Sequence, residues 1–184
     1  MLSVANEAAT HEENARTYFQ DMISYTRSLS SLPITIVEFT KFDDGSKVAD
    51  LVDVIAINRY YGWYTDHGML DVVCNQMKDE IEKWYRTYKK PVIVAEFGAD
   101  TIEGLHMLPS ESFSEEFQEE YLLENFKAFD ESEGCIGEHV WNFADFKTKP
   151  GITRMRGNRK GVFTKDRQSK LVARFIKQRW GSIK

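Results

Sequence analysis

The stretch PVIVAEFGAD, Pro91 to Asp100, decides the fold. Pro91-Val92-Ile93-Val94-Ala95 is an unbroken apolar run rich in β-branched residues. Such a run predicts a strand buried on both faces, as in a parallel sheet covered by helices. It ends on a carboxylate, Glu96, where burial of charge is costly. A chain that delivers a glutamate from the end of a buried strand has a chemical reason to do so.

Working outward, strand-like and helix-like segments alternate. Leu2-Ser3-Val4-Ala5 reads as a short strand. Glu12 to Leu29 reads as a helix whose buried face is Tyr18, Phe19, Met22, Ile23 and Leu29. Pro33–Phe39 and Val52–Tyr61 read as further strands, separated by the turn-rich KFDDGSK. Met69 to Tyr88 is a long amphipathic helix, and Ser114 to Asp130 another, with Ser114 as its N-cap. Cys135–Phe143 is the last strand and Ser169 to Trp180 the closing helix. This order means right-handed βαβ units and a parallel sheet.

Polar residues cluster at the C-terminal strand ends: Asn6-Glu7, Glu38, Asn58-Arg59-Tyr60, Glu96 and Trp141-Asn142. That rim is the active-site face of a (β/α)8 TIM barrel. A doubly wound sheet would announce itself with a glycine-rich phosphate loop after the first strand, and none is present. About five strands are legible, against the eight of a closed barrel. The fold class expected is therefore α/β, the C-terminal five βα units of a TIM barrel, incomplete as given.

Composition narrows the function classes. The chain has 184 residues, 42% of them hydrophobic, enough for one substantial core. No apolar run approaches the ~20 residues that span a bilayer, and no signal peptide is visible at Met1. Residues 146–184 hold 13 basic groups against one acid, and residues 1–145 hold 11 basic and 28 acidic groups. A basic segment invites a nucleic-acid reading, but much of this charge falls on the expected terminal helix, where it either pairs with the acidic remainder or simply faces water. The expectation is no nucleic-acid and no membrane partner. Cys74 and Cys135 read as reduced thiols of a cytoplasmic protein. His11, His67, His106 and His139 lack ligand spacing, so no metal and no cofactor are expected.

Two strand-end carboxylates, Glu7 and Glu96, suit glycoside hydrolysis; as ordinary strand-end charges they would sit in salt bridges. The strings SVANEA, NRYYGWY, VAEFGADTIEGLH, GEHVWNFADF and GNRKGVFTKDR resemble, in order and spacing, the β-glucuronidases of glycoside hydrolase family two. The likeness runs from Met1 to about Trp180 and covers the last five βα units of the family's catalytic barrel, so residues 1–184 are expected to be the C-terminal portion of that domain. The first three barrel strands and the family's β domains have no counterpart in the sequence.

The resemblance implies a retaining mechanism, with Glu7 as acid/base, Glu96 as nucleophile, and carboxyl groups ~5 Å apart. It implies that Asn6 meets the sugar 2-hydroxyl and that Asn158 and Lys160 hold the sugar carboxylate. By the same resemblance Arg154 matches a family position near that site, and Asn58, Tyr60, Tyr64 and Trp141 match pocket-lining positions. Substrates would be β-glucuronide small molecules or glycan ends, and the longer parent a homo-oligomer. Ala8 replaces the family's usual proline after the acid/base, which loosens backbone restraint. Glu38 and Glu138 read as rim or packing carboxylates. Three alternatives stay open: another family-two exo-β-glycosidase (a galacturonidase or β-galactosidase), a non-catalytic half-barrel, and a GNRKG that is merely a basic surface turn. The fragment alone is expected to be inactive.

Overall fold

A computed structural model describes residues 1–182. Its elements, in chain order, are β1 (Leu2–Asn6), α1 (Ala15–Leu29), β2 (Ile34–Glu38), β3 (Ile55–Asn58), α2 (Leu70–Tyr88), β4 (Val92–Phe97), α3 (Glu115–Glu131), β5 (Cys135–Val140) and α4 (Ala173–Ser182). The five strands form one sheet in the order β1-β2-β3-β4-β5. The first three ladders are parallel, with Leu2 opposite Ile34, Val37 opposite Ala56 and Ile55 opposite Val92. Sequential parallel neighbours, with helices α1, α2 and α3 in three of the four connections, are the arrangement of a partial α/β barrel.

The chain divides into two compact units. The first comprises Met1–Arg59, Asn75–Glu96 and Ala128–His139; the second comprises Tyr60–Cys74, Phe97–Lys127 and Val140–Lys184. In the first, Ile34 and Ile36 of β2 are buried together with Ala15, Phe19 and Ile23 of α1 and with Val48 and Val52. Every residue of β2 and β3 is buried, as their β-branched composition requires. Further along, Met77, Ile81 and Trp84 on one stripe of α2 are fully buried, and Phe42 meets Trp84 edge-on at 5.2 Å. In the second unit Trp63 meets Phe113 edge-on at 5.2 Å, and Phe97 meets Phe126 at 5.9 Å.

Several expectations are corrected. Helix α1 begins at Ala15, not Glu12, and its buried stripe is Ala15, Phe19 and Ile23. Tyr18 and Leu29 are 61% and 70% exposed and, with Tyr25, lie on a second apolar stripe turned away from the core, whereas Met22 is half-buried against that core as expected. Strand β3 begins only at Ile55, because the Asp53 carboxylate turns back to accept the Ile34 N–H at 2.8 Å. It ends at Asn58, where the Arg59 side chain engages the neighbouring loop. Between β2 and β3 there is only a single 3-10 turn, Phe42–Asp44, closed by Gly45 at φ +78°. The closing helix starts at Ala173, because Ser169 bridges to Phe163 and Lys170 is drawn into the interior. Ser114 does cap α3, its hydroxyl accepting the Phe117 N–H at 3.1 Å.

Candidate active site

Strand ends place the polar residues of the first unit. Asn6 closes β1, and Glu7 follows at φ +52°, its backbone N–H held by the Val37 carbonyl at 2.9 Å. Asn58, buried at the end of β3, donates its amide to Glu7 Oε1 at 2.9 Å and to Asn6 Oδ1 at 3.3 Å. In the next ladder Asn58 lies opposite Glu96, the half-buried next-to-last residue of β4. One residue thus adjoins both carboxylates, through its side chain on one side and its strand register on the other.

Two other charged groups of this rim are fully occupied. Glu38 accepts from the Ser46 hydroxyl at 2.7 Å and from the Thr10 hydroxyl in a very short bond. Burial pushes its carboxyl above the ordinary value, against those two bonds and the Arg59 charge. Glu38 is therefore a packing carboxylate, as its sequence context suggested. Arg59 spends its guanidinium on Glu80 at 2.5 and 2.8 Å and on the carbonyls of Glu38, Phe39, Asn58 and Thr40 at 2.6–3.2 Å.

The second unit gathers the remaining candidates. The turn Gly157-Asn158-Arg159-Lys160 is not a surface turn, since Asn158 and Lys160 are 2% and 1% exposed. The Asn158 amide oxygen accepts the Lys160 N–H at 3.1 Å, so its NH2 is the group left to donate. The Lys160 ammonium donates to Asp100 in a short bond and to the Tyr64 hydroxyl at 3.0 Å. It lies 4.8, 5.1 and 5.8 Å from the ring centres of Tyr64, Trp63 and Tyr60. Arg154 reaches the same Tyr64 hydroxyl at 2.6 Å. Burial works against the Arg154 charge, but the Tyr64 bond and the nearby Asp100 carboxylate hold its pKa above the usual guanidinium value.

Trp141 is half-buried, with its backbone N–H on the Phe97 carbonyl at 2.9 Å. Gly98 is what permits this approach: a Cβ there would fall 2.1 Å from the Trp141 carbonyl oxygen and 3.6 Å from Lys160 Cβ. His106 is exposed and bonded to Glu116 at 2.8 Å. Three of the 13 basic groups of residues 146–184 are paired within this unit, Lys160 on Asp100, Lys170 on Asp145 and Arg159 on Glu103.

Sequence reasoning missed Asp100, Trp63 and the Arg59–Glu80 pair. The signal for Asp100 was present: a lysine expected to point inward needs a counter-ion. Among the described residues no three His, Cys, Asp or Glu side chains gather as metal ligands, and no helix is long and apolar enough to cross a membrane.

The family model of glycosyl hydrolases family 2, TIM barrel domain, matches residues 1–184. A β-glucuronidase of Paenibacillus borealis is 50% identical over the whole chain, which spans 31% of that relative. The structure of β-D-glucuronidase from Dictyoglomus thermophilum superposes with a TM-score of 0.95 at 51% identity, over 99% of this chain and 32% of that one. Bifidobacterium dentium β-glucuronidase complexed with coumarin-3-O-glucuronide superposes with a TM-score of 0.93 at 39% identity, over 99% of this chain and 30% of that one. The chain thus spans about a third of the length of the relatives it matches.

Proposed function

The chain belongs to glycosyl hydrolase family 2, in its TIM barrel domain, and from that premise we propose that the protein carrying it hydrolyses β-D-glucuronides with retention of configuration. Residues 1–184 are the C-terminal portion of its catalytic barrel. Glu96 attacks the anomeric carbon while Glu7 gives its proton to the departing glycosidic oxygen, so the C1–O bond to the aglycone breaks as an ester to Glu96 forms. Water then attacks the same carbon, Glu7 takes its proton, and the ester bond breaks to free Glu96. Asn58, bonded to Glu7 and in register with Glu96, supports this pairing. Asn6 binds the sugar 2-hydroxyl, and Tyr60, Tyr64 and Trp141 line the sugar pocket.

The observation that carries the choice of a uronic acid is the buried GNRKG turn. Among the described residues the Lys160 ammonium, with three N–H groups, has two protein acceptors, and Asn158 keeps its NH2 to donate because its oxygen is taken by the Lys160 N–H. Buried donors without acceptors suit an anionic ligand, and Arg154 adds positive charge beside them. The Bifidobacterium relative's glucuronide ligand agrees with a small-molecule β-glucuronide substrate; glycan ends offer the same group. Cytoplasmic residence and homo-oligomeric assembly belong to the same proposal. They rest on the free thiols of Cys74 and Cys135 and on the resemblance.

Two substitutions test it in the full-length gene product. Glu96→Gln is expected to abolish turnover of p-nitrophenyl β-D-glucuronide, whereas a non-catalytic sugar binder has no turnover to lose. Lys160→Met is expected to lower kcat/KM on the glucuronide by at least tenfold, about the worth of one charged hydrogen bond. An unchanged value would point to a galactosidase instead. The 184-residue chain alone is expected to show little or no activity, and a monomer with full turnover would overturn that.

A further inference from the structure

We propose that Asp100 is a positioning residue for uronate recognition, aiming the Lys160 ammonium at the sugar carboxylate; this rests on the glucuronidase reading above. Asp100 is buried, four residues beyond Glu96, and uses its two carboxylate oxygens on two parts of one turn. Oδ1 accepts the Arg159 backbone N–H at 2.7 Å, and Oδ2 takes the Lys160 ammonium. The next residue closes the clamp, with the Thr101 N–H on the Arg159 carbonyl at 3.0 Å. The residue between Asn158 and Lys160 is thus held on both its backbone groups. The lysine's flexible four-carbon stem is fixed at its tip by Asp100 and by Tyr64.

A second buried lysine in the same unit shows what a purely structural partner looks like. The Lys170 ammonium donates to Asp145 at 2.8 Å, to the Arg159 carbonyl at 2.8 Å and to the Thr101 carbonyl at 3.3 Å, so all three N–H groups are taken. Among the described residues Lys160 has two protein acceptors, and its third N–H is left for a ligand. Asp100 also cancels the lysine's charge. Net attraction for the anion therefore falls to Arg154, while the Lys160–Asp100 pair supplies direction. An Asp100 variant should then lose discrimination rather than general competence.

The test measures kcat/KM for p-nitrophenyl β-D-glucuronide and β-D-glucoside in the full-length gene product carrying Asp100→Asn, Lys160→Met, or both. Asparagine keeps an acceptor for the Arg159 N–H and removes the charge. The expected result is a glucuronide-to-glucoside ratio lowered about tenfold or more by Asp100→Asn, with the glucoside value changed less than about threefold. The double variant should show no lower ratio than Lys160→Met alone. Equal losses on both substrates, or an unchanged ratio beside a collapsed one in Lys160→Met, would overturn the role of Asp100 and leave the glucuronidase reading standing. An unchanged ratio in Lys160→Met would overturn that reading itself. Should Asp100→Asn not fold, Asp100→Ser, smaller and still an acceptor for the backbone, is read by the same criteria.

Discussion

The two compact units each bury a cation on a carboxylate, and the two pairs are built differently. In the first unit Arg59 sits on Glu80, and its guanidinium also collects four backbone carbonyls from the end of β2, the loop after it and Asn58. In the second, Lys160 sits on Asp100, touches one hydroxyl and three aromatic rings, and keeps a donor in hand. Arginine's planar fork suits the first task, because it satisfies many fixed acceptors at once. Lysine suits the second, because a compact ammonium can turn one N–H toward a ligand. A buried ion pair says nothing about function until its donors are counted.

Matched substitutions can break this comparison. Replacing Arg59 by Met and Glu80 by Gln together leaves the carbonyls of Glu38, Phe39, Thr40 and Asn58 without their donor, while Gln can still serve the Phe42 N–H and Trp84 indole that Glu80 serves now. The expected loss is over ~3 kcal/mol, from several unsatisfied groups at once. Lys160→Met with Asp100→Asn leaves no backbone acceptor stranded, and Asn still accepts the Arg159 N–H. Its expected cost is ~1–2 kcal/mol, with recognition of the uronate lost. Shifts in the unfolding transition of the full-length gene product measure both. Similar losses for the two pairs would mean that both are structural and that the spare lysine donor has no functional meaning.

How much of this was legible follows from the same physics. The β-branched runs at Ile34–Val37, Ile55–Ile57 and Val92–Val94 gave strands, because burial on both faces leaves a contiguous apolar signature. Strand-end placement of Glu7, Asn58 and Glu96 followed at once, since each is the polar residue at which an apolar run stops; Glu38 shares that position and is a packing carboxylate, so position alone does not separate the two roles. The strand boundaries at Val52 and Tyr61 were missed because they are set by side chains reaching between segments, Asp53 to Ile34 and Arg59 to the β2 loop. The error over Tyr18 and Leu29 has another cause. Helix α1 carries two apolar stripes, and periodicity cannot say which one meets the sheet. Asp100 was overlooked because a lone aspartate after a strand looks like a turn residue until its lysine, 60 positions later, is placed beside it.

The exposed pair His106–Glu116 supplies the lower end of the scale and the smallest expected effect. The hydrogen bond to Glu116 raises the imidazole pKa above its ordinary 6.5, with little burial to oppose it. On the partner, what burial there is pushes the carboxyl up, but the Met107 N–H, the His106 ring and the attendant charge together hold it below its ordinary 4.5. The signs then follow from linkage. The histidine's contribution is fully present below pH 6.5 and disappears as pH rises through the raised folded value. The glutamate's is present above pH 4.5 and disappears as pH falls through the lowered one. The pair therefore acts in the interval between, and salt should weaken it because both groups face water. An NMR titration of the His106 ring is expected to give a midpoint above 6.5 that Glu116→Gln returns toward that value. A midpoint indifferent to Glu116→Gln would mean the bond does not persist in solution. An exposed pair would then lack even the modest coupling that separates it from Arg59–Glu80 and Lys160–Asp100, where the protein, rather than water, holds both partners in place.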